Sequence, residues 1–278
     1  MKLNGQVAIV TGSGRGLGRA YALALAAAGA AVAVTARTAA EIETVAHTIE
    51  QSGGRALAIA ADATDQKAVT QMVAAVEQTL GPVTLLINNA GVLRAIGRMP
   101  HSEADAWWRE VEVNVRGPFL CSQAVLPGMI AHKQGRIINL ASSAGLYPVN
   151  GGSAYCVSKA ALIRFSEQLA METKEHGIAV FAIHPGTVRT PMNEYLRDAA
   201  IVGQRAPWLQ QSFRRLYAEG KDTPIERSVE LVLQLASGKA DALSGCYLDV
   251  DADLGALTNR AVEIQQNALY TLRLRTAA

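Results

Sequence analysis

The stretch "VAIVTGSGRGLG", residues 7–18, joins a short β-branched run to a glycine-rich turn that leads into a helical sequence. Glycines let a backbone approach an anion closely, and a helix N-terminus offers free N–H groups with a partial positive charge. A G-x-G-x-x-G motif beginning at Gly12 would need glycine where the chain has Leu17, so the spacing is T-G-x-x-x-G-x-G. This strand–turn–helix setting favours a site for a nucleotide phosphate, and a plain tight turn is the alternative.

The alternation of a strand with a helix continues along the chain. Helical stretches lie at 40–51, 66–79, 104–131, 154–175 and 226–236, and apolar runs lie at 7–11, 31–36, 56–61, 83–88, 135–142, 178–183 and 246–250. Near-continuous apolar strands between helices are typical of a parallel sheet covered on both faces. We therefore expect a doubly wound α/β fold of the Rossmann type, with about seven strands and helices on both faces, and a single domain over residues 1–278.

Two segments interrupt this rhythm. An insertion near 189–224 follows the sixth strand at the carboxyl edge of the sheet, where α/β proteins place ligands, and it is expected to form a substrate lid. Between residues 189 and 221 it holds six basic and three acidic residues, which favours either an acidic or thioester-linked substrate or simply a solvated surface. The tail, 256–278, carries spaced leucines and a valine and is expected to be either a frayed terminus or a strap over a neighbouring subunit or a substrate mouth.

The overall composition excludes several classes of protein. The 278 residues carry a net charge of +2, which gives no reason to expect a nucleic-acid partner. The three cysteines form no CxxC pair and the five histidines form no HxxxH pair, so we expect free thiols and no metal site. Buried free thiols suit a reducing compartment, and the expected location is the cytoplasm.

A membrane span is not expected either. Residues 20–36 contain no charge, but Gly29 interrupts them and they are mostly alanine. A spanning helix needs about 20 strongly apolar residues, so a helix ended by glycine and followed by a strand is the better interpretation. The N-terminus reaches its glycine turn too early to contain the apolar region of a signal peptide.

A second motif, "SAYCVSKAA" at 153–161, places Tyr155 and Lys159 four residues apart. On a helix these side chains are neighbours, and an ammonium beside a phenol lowers the pKa of the phenol. The pair could therefore form an acid/base catalyst. The alternative is a half-buried aromatic beside a solvated charge.

Several motifs together resemble the short-chain dehydrogenase/reductase family, in its common branch. Thr11, Gly12, Gly16 and Gly18 match its glycine loop, and the resemblance runs from residue 5 to about 250. The further matches are "NNAG" at 88–91, "EVNVRG" with Asn114, "ASSAG" with Ser142, "YCVSK" with Tyr155 and Lys159, and "HPGTVRT" at 184–190. The chain departs from the family at "VDADLG", 250–255, where Asp-Gly-Gly is common.

The resemblance implies hydride transfer between a nicotinamide cofactor and a carbonyl or alcohol carbon of a small molecule. Tyr155 would be the general acid or base, with a lowered pKa. Lys159 would supply that shift together with the oxidised cofactor ring, and would bind the nicotinamide ribose. Ser142 would donate a hydrogen bond to the substrate oxygen. Asn114 would anchor a water that links Lys159 to solvent.

The resemblance also implies a set of cofactor contacts. Asp62 and Ala63 would meet the adenine; Asn88, Ala90 and Gly91 would lie along the adenosine ribose; and Asn89 would be structural. Pro185, Gly186, Val188 and Thr190 would hold the carboxamide end of the nicotinamide. The remaining contacts come from Gly12, Ser13, Gly14, Arg15, Gly16, Leu17, Gly18 and Arg37, together with Tyr155 and Lys159.

The residues at the end of the second strand predict which cofactor the protein prefers. Enzymes that use NAD(H) usually place Asp or Glu there to bind the ribose hydroxyls, but this chain has Ala36 followed by Arg37. Arg37 and Arg15 could bind a 2′-phosphate, so NADP(H) is expected, with NAD(H) possible. An NAD(H)-dependent alcohol dehydrogenase and a non-catalytic dinucleotide-binding protein are the alternatives. Family members assemble through long helices such as 104–131 and 154–175, so a homo-oligomer, a tetramer or a dimer, is expected.

Overall fold

A single parallel sheet organises the chain; the structure, a computed structural model, describes residues 2–274. Its strands are β1 Val7–Thr11, β2 Ala31–Ala36, β3 Arg55–Ala60, β4 Leu85–Asn88, β5 Gly135–Leu140, β6 Ile178–His184 and β7 Tyr247–Asp249. They lie in the order β3-β2-β1-β4-β5-β6-β7, and every neighbouring pair is parallel. The predicted Rossmann-type sheet is confirmed, and no predicted strand limit differs from the observed one by more than two residues.

Helices cover both faces of the sheet and bury its apolar side chains. They are α1 Gly16–Ala27, α2 Ala39–Gln51, α3 Gln66–Leu80, α4 Ala104–Val111, α5 Gly117–His132, α6 Ser153–Thr173, α7 Pro191–Asp198, α8 Ala200–Arg205, α9 Pro207–Ala218, α10 Ile225–Ala236, α11 Leu254–Asn259 and α12 Ala261–Gln266. One core contains Tyr21 of α1, Ile42 of α2 and Leu235 of α10, and the core on the other face contains Val76 of α3 and Met129 of α5. β1 is buried along its whole length because it lies between both layers.

The strand order places a crevice at the carboxyl ends of β1 and β4. The chain proceeds from β1 to β2 and β3 on one side, then crosses over so that β4 pairs with the opposite edge of β1. The connections that follow β1 and β4 run in opposite directions along the sheet and leave a gap between them. Doubly wound sheets bind ligands in such a gap. The glycine loop, residues 12–18, follows β1 and the segment Asn89–Gly91 follows β4, so both sequence motifs meet at this crevice.

The predicted helix 104–131 is interrupted. A π-helical turn, Glu112–Arg116, separates α4 from α5 and contains Asn114. Pro118 has no N–H to donate to the carbonyl four residues earlier, which is that of Asn114, so an ordinary α-helical hydrogen bond cannot form at this point. The continuous-helix prediction missed this effect of Pro118.

The tail folds back on its own chain. The Tyr247 N–H donates to the Tyr270 carbonyl at 2.7 Å, so residues after α12 cover the edge of β7. Leu272 packs against a small cluster that includes Ile163 and Tyr247, and Arg273 pairs with Glu167 at 2.6 Å. The last tail residues, 275–278, lie outside the described part. Up to residue 274 the tail is therefore ordered against the edge of the sheet rather than frayed.

Two features bear on the other sequence expectations. Within residues 2–274, no helix is both long and apolar enough to cross a membrane. Cys121 and Cys246 are buried free thiols, as expected, but Cys156 is only half-buried.

Candidate active site

The loops at the carboxyl ends of the strands enclose a continuous cleft of about 460 Å³, within the ~300–1,000 Å³ typical of ligand pockets. One end, the glycine-loop end, lies beside residues 12–18 and the ends of β2 and β3. The other, the lid end, lies between the loop 92–96 and helices α7 to α9. Predicted site residues that line it are Gly12, Gly14, Arg15, Gly16, Leu17, Gly18, Arg37, Asp62, Ala63, Ala90, Gly91, Ser142, Tyr155, Lys159, Pro185, Gly186, Val188 and Thr190.

Three predicted residues lie beside the cleft rather than in it. The Ser13 hydroxyl donates to the Val10 carbonyl at 2.7 Å and accepts from the Thr35 N–H at 2.9 Å, and the Ser13 N–H donates to the Thr35 carbonyl at 3.1 Å. The polar groups of Ser13 thus tie the glycine loop to β1 and β2, and its predicted cofactor contact stays a prediction.

Asn88 is the second. It is 2% exposed, and its amide donates to Asn139 and Ser122 in the interior. The neighbouring Asn89 lines the cleft instead and donates to the Thr11 carbonyl at 2.8 Å. The Asn88 side chain is therefore structural, and the predicted contact of Asn88 with the adenosine ribose, which would be made mostly through its backbone, stays a prediction. The hydrogen bonds that Asn89 makes to the glycine loop agree with its expected structural role.

Asn114 is the third, buried at the π-helical turn. Its side chain accepts from the Val92 N–H at 2.8 Å and donates to the Val92 carbonyl at 2.9 Å and to Ser158 at 3.0 Å. The side chain thus holds the loop after β4 in place. A water linked to Lys159 would have to use the Asn114 carbonyl, because the side-chain amide is engaged.

The glycine loop has no room for side chains at its close approaches. A Cβ on Gly12 would lie 2.9 Å from the Ala90 Cα, and one on Gly18 would lie 2.4 Å from the Gly12 carbonyl oxygen. Gly12 and Gly16 also have positive φ angles of 64° and 57°, which favour glycine. The loop therefore presents bare backbone at the N-terminus of α1, as a phosphate site requires.

The catalytic candidates meet at the middle of the cleft. Ser142 follows β5, where its hydroxyl accepts from the Ala144 N–H at 3.2 Å. Tyr155 and Lys159 come from the first turns of α6, with the Lys159 Nζ 5.4 Å from the centre of the Tyr155 ring. The Lys159 ammonium is buried and donates to the Leu140 carbonyl at 2.6 Å. The spacing in "YCVSK" therefore produces the neighbouring phenol and ammonium that the sequence predicts.

Burial is the largest influence on the protonation of this pair. Burial raises the pKa of Tyr155 to about 12, while an interaction with the Ser142 hydroxyl acts in the opposite direction. Burial lowers the pKa of Lys159 to about 8, and the negative charge of Glu110 opposes that change. In the protein alone, burial therefore raises the pKa of Tyr155, and the lowering expected with the oxidised cofactor bound stays a prediction. Tyr155 holds its proton at neutral pH and is ready to act as an acid.

The glycine-loop end carries charges of both signs. Burial alone would raise the pKa of Asp62, but hydrogen bonds from Thr64 and the charges of Arg109 and Arg37 hold it below its ordinary value. Glu41, which the sequence interpretation missed, lines the cleft and lies 3.6 Å from Arg15. Glu41 lies in the first turn of α2, where an acidic side chain stabilises the helix N-terminus, and this position was the feature of the sequence that could have identified it.

The lid end is mostly apolar. Ile96 of the loop 92–96 packs with Leu196, Val202 and Ala206, which attaches the lid to this loop. The loop and the lid together line the cleft with Val92, Leu93, Arg94, Met192, Asn193, Leu196, Leu209 and Phe213.

Glu110, on α4, lies beneath this loop and was also missed from the sequence. It is 2% exposed, and its Oε2 accepts hydrogen bonds from the N–H groups of Arg94 and Ala95. It therefore fixes the loop backbone at the position where Arg94, an exposed residue, lines the cleft.

Comparison with known proteins agrees with this geometry. The family model described as short chain dehydrogenase matches residues 6–200. A short chain dehydrogenase of Pseudocercospora fijiensis is 35% identical over 94% of this chain and 84% of its own. An inactive 2-(S)-hydroxypropyl-CoM dehydrogenase of Xanthobacter autotrophicus is 37% identical over 74% of this chain and 87% of its own.

A solved structure agrees as well. A gluconate 5-dehydrogenase from Burkholderia cenocepacia, in complex with NADP and tartrate, has a TM-score of 0.79 and 28% identity and covers 92% of this chain and 97% of its own. The expected enzyme class, an oxidoreductase acting on CH–OH or C=O groups, is confirmed. The fold, the ordered motifs and the relatives agree, and this chain belongs to the short-chain dehydrogenase family.

Proposed function

We propose that this protein is an NADP(H)-dependent oxidoreductase that transfers a hydride between the nicotinamide and a carbonyl or alcohol carbon of a small substrate. One observation carries the proposal: Ser142, Tyr155 and Lys159 converge in the same cleft that the bare glycine loop borders. NAD(P) is the cofactor of the family. When bound, it supplies the hydride or accepts it.

The residues present fit a dinucleotide. Gly12, Gly14, Gly16 and Gly18 line the cleft at the N-terminus of α1, where backbone without side chains can approach a phosphate. Leu17, Gly14 and Gly16 would border the pyrophosphate, and Asp62 and Ala63 the adenine. Pro185, Gly186, Val188 and Thr190, after β6, would border the nicotinamide.

The chain's own residues provide the proton chemistry. In reduction, the Tyr155 phenol donates its proton to the substrate oxygen, and in oxidation the phenolate accepts it. The Lys159 ammonium stabilises the phenolate through its positive charge. The Ser142 hydroxyl donates a hydrogen bond to the same substrate oxygen and so stabilises developing negative charge.

Replacing Tyr155 by Phe tests this assignment. Because the ring remains and only the proton donor is lost, turnover should fall by about 100-fold or more while cofactor affinity stays nearly the same. The measurement is steady-state reduction of a panel of carbonyl compounds, with cofactor binding followed by nicotinamide fluorescence. Tyr147→Phe is the matched control, since Tyr147 is exposed and does not line the cleft. Activity of Tyr155→Phe within tenfold of the parent would contradict the role of Tyr155.

The proposed preference for NADP(H) is supported by charges at the end of β2. Arg37 lines the cleft where an acidic residue would bind an unphosphorylated ribose, and its guanidinium can bind a phosphate through paired hydrogen bonds. Arg15 lies on the other side of this end, but Glu41 faces it and reduces its effect. The preference therefore depends chiefly on Arg37.

Measuring kcat/KM with both cofactors decides this preference. The parent protein should favour NADP(H) by about tenfold or more, the effect expected for one charge-assisted contact. Arg37→Ala should weaken NADP(H) much more than NAD(H), and Ala36→Asp should shift the preference toward NAD(H). Glu41→Gln, which removes the competing charge, should strengthen NADP(H). Equal values for the two cofactors in the parent would refute the proposal in favour of an NAD(H)-dependent or unselective enzyme.

The non-catalytic alternative is weighed by the same assays. One relative is named an inactive dehydrogenase, so family membership alone does not make every chain active. Ser142, Tyr155 and Lys159 are all present in the cleft of this chain, which supports activity. Cofactor binding without turnover of any alcohol or carbonyl compound would favour the alternative. The cytoplasm is the proposed location, because Cys121 and Cys246 are buried as free thiols.

A further inference from the structure

The basic residues of the lid are mostly paired within the lid and its flanks. Arg189 pairs with Asp222 at 2.6 Å, Arg197 with Asp198 at 2.5 Å, and Glu219 lies 2.6 Å from Arg215 and 2.7 Å from Lys221. Four of the six basic residues of the lid are thus held in ion pairs, and none of the six lines the cleft. An acidic substrate would need a different partner.

Arg94 provides that partner. Among the described residues that the lid and the loop 92–96 contribute to the cleft, Arg94 is the one with a charged side chain. Its neighbours in the lining, such as Leu93, Leu209 and Phe213, are apolar. An apolar chamber with one cation is suited to a substrate with an apolar body and one anionic group.

The contacts of Arg94 leave its hydrogen-bond donors free. The guanidinium carbon lies 3.6 Å from the centre of the Tyr195 ring, so one flat face is stacked and the N–H groups at the edge remain available. No carboxylate among residues 2–274 lies within ion-pair distance of this guanidinium. Glu110 holds the backbone of the same residue instead, through the Arg94 N–H. The side chain is therefore oriented from two sides and unpaired.

We propose that Arg94 binds a carboxylate on the substrate, so that the enzyme acts on carbonyl or alcohol compounds that carry a carboxylate and an apolar chain. A planar guanidinium edge matches a carboxylate with two parallel hydrogen bonds. The inference rests on the proposed hydride-transfer function, because it assigns the substrate class of that site.

A series of matched substrates tests this proposal. Straight-chain keto acids, in which the ketone lies progressively farther from the carboxylate, are each compared with their methyl ester. For the best-fitting length, the acid should exceed its ester in kcat/KM by about tenfold or more. In Arg94→Gln this ratio should fall to about one, mainly through a higher KM for the acid, because the ester never used the charge. Arg94→Lys should keep part of the preference.

Arg98→Gln is the matched control. Arg98 lies four residues from Arg94, its guanidinium carbon is 5.2 Å from the centre of the Trp208 ring, and it does not line the cleft. Replacing it by Gln therefore removes the same positive charge from the same region without removing a contact to the substrate. It should keep the acid preference. Equal rates for acids and esters in the parent, or a preference that survives in Arg94→Gln, would overturn the proposal while leaving the proposed function intact.

The two hypotheses fail in different ways. If no acid, ester or simple ketone is reduced with either cofactor, the proposed function is wrong. Calorimetric titration of the same keto acids into protein saturated with NADP(H) then judges Arg94 separately. The carboxylate site is supported if the protein binds the acids but not the esters, and if this binding is lost in Arg94→Gln and kept in Arg98→Gln. It is overturned if the protein binds acids and esters equally or binds neither.

Discussion

Glu110 illustrates how one buried charge affects several residues of the site. Its carboxylate is nearly inaccessible, and burial raises its pKa while the N–H groups of Arg94 and Ala95 and the charges of Lys159 and Arg94 act in the opposite direction. The same negative charge raises the pKa of Tyr155 and of Lys159. Glu110 therefore both fixes the loop 92–96 and favours the protonated forms of the catalytic pair.

Glu110→Gln should separate these two effects. Both loop N–H groups donate to a single oxygen, Oε2, so an amide oxygen can replace it while the charge is lost. Without the negative charge, the protonated forms of Tyr155 and Lys159 lose a stabilising interaction, and the pKa of each should fall. The rising limb of the pH profile of kcat/KM for alcohol oxidation should therefore move to lower pH, on the order of half a unit.

Glu110→Ala is the comparison variant. It removes the acceptor as well as the charge, so two loop N–H groups lose their partner, and the melting temperature should fall by several degrees relative to Glu110→Gln. A pH profile that is the same in Glu110→Gln and in the parent would show that the charge does not reach the catalytic pair.

Residues that act through a local motif could be predicted from the sequence, and those that act between elements could not. Tyr155 and Lys159 are four residues apart on one helix, so their meeting follows from helix geometry. Arg94 and Glu110 are brought together only when the loop after β4 packs on α4. On its own, Glu110 is indistinguishable from the solvated charges beside it, such as Arg109 and Glu112.

At the scale of elements, buried strands were easier to predict than interrupted helices. β1 and β4 are fully buried and read as continuous apolar runs, so their limits were close to those observed. The helix 104–131 had the composition of one helix, and only Pro118 indicated the π-helical turn at Asn114. This turn matters for the site because Asn114 holds Val92, which belongs to the same loop as Arg94.

The lid and the tail show a different limit. Net charge counted along the lid suggested a basic surface, but pairing of Arg189 with Asp222 and of Arg197 with Asp198 depends on how its helices fold. The leucines of the tail suggested an amphipathic face, and Leu272 does pack, against the sheet of its own chain. Through residue 274 the tail lines no part of the cleft, and a strap over a neighbouring subunit stays a prediction.

At the scale of the whole molecule, the helices α4 to α6 expose apolar side chains that residues 2–274 do not cover. Phe119 is 44% exposed, Val157 49% and Met171 67%. Phe119 of α5 also contacts Phe165 of α6 edge to face, with ring centres 6.3 Å apart, so the two helices form a joint apolar surface. Apolar patches of this kind on soluble proteins commonly mark association surfaces. This surface supports the expectation of a homo-oligomer formed through these helices.

Val157→Glu should therefore disrupt assembly. A carboxylate at this exposed position of α6 would have to be buried without a partner in the interface, which costs several kcal/mol of association free energy (about 3–5 by analogy with broken buried pairs). Size-exclusion chromatography with light scattering should give a dimer or tetramer for the parent and a smaller species for the variant at micromolar concentration. Val262→Glu is the control, since Val262 is 69% exposed on α12, away from α5 and α6, and it should leave the mass unchanged. A monomeric parent, or an oligomer that Val157→Glu does not weaken, would show that α5 and α6 do not form the interface.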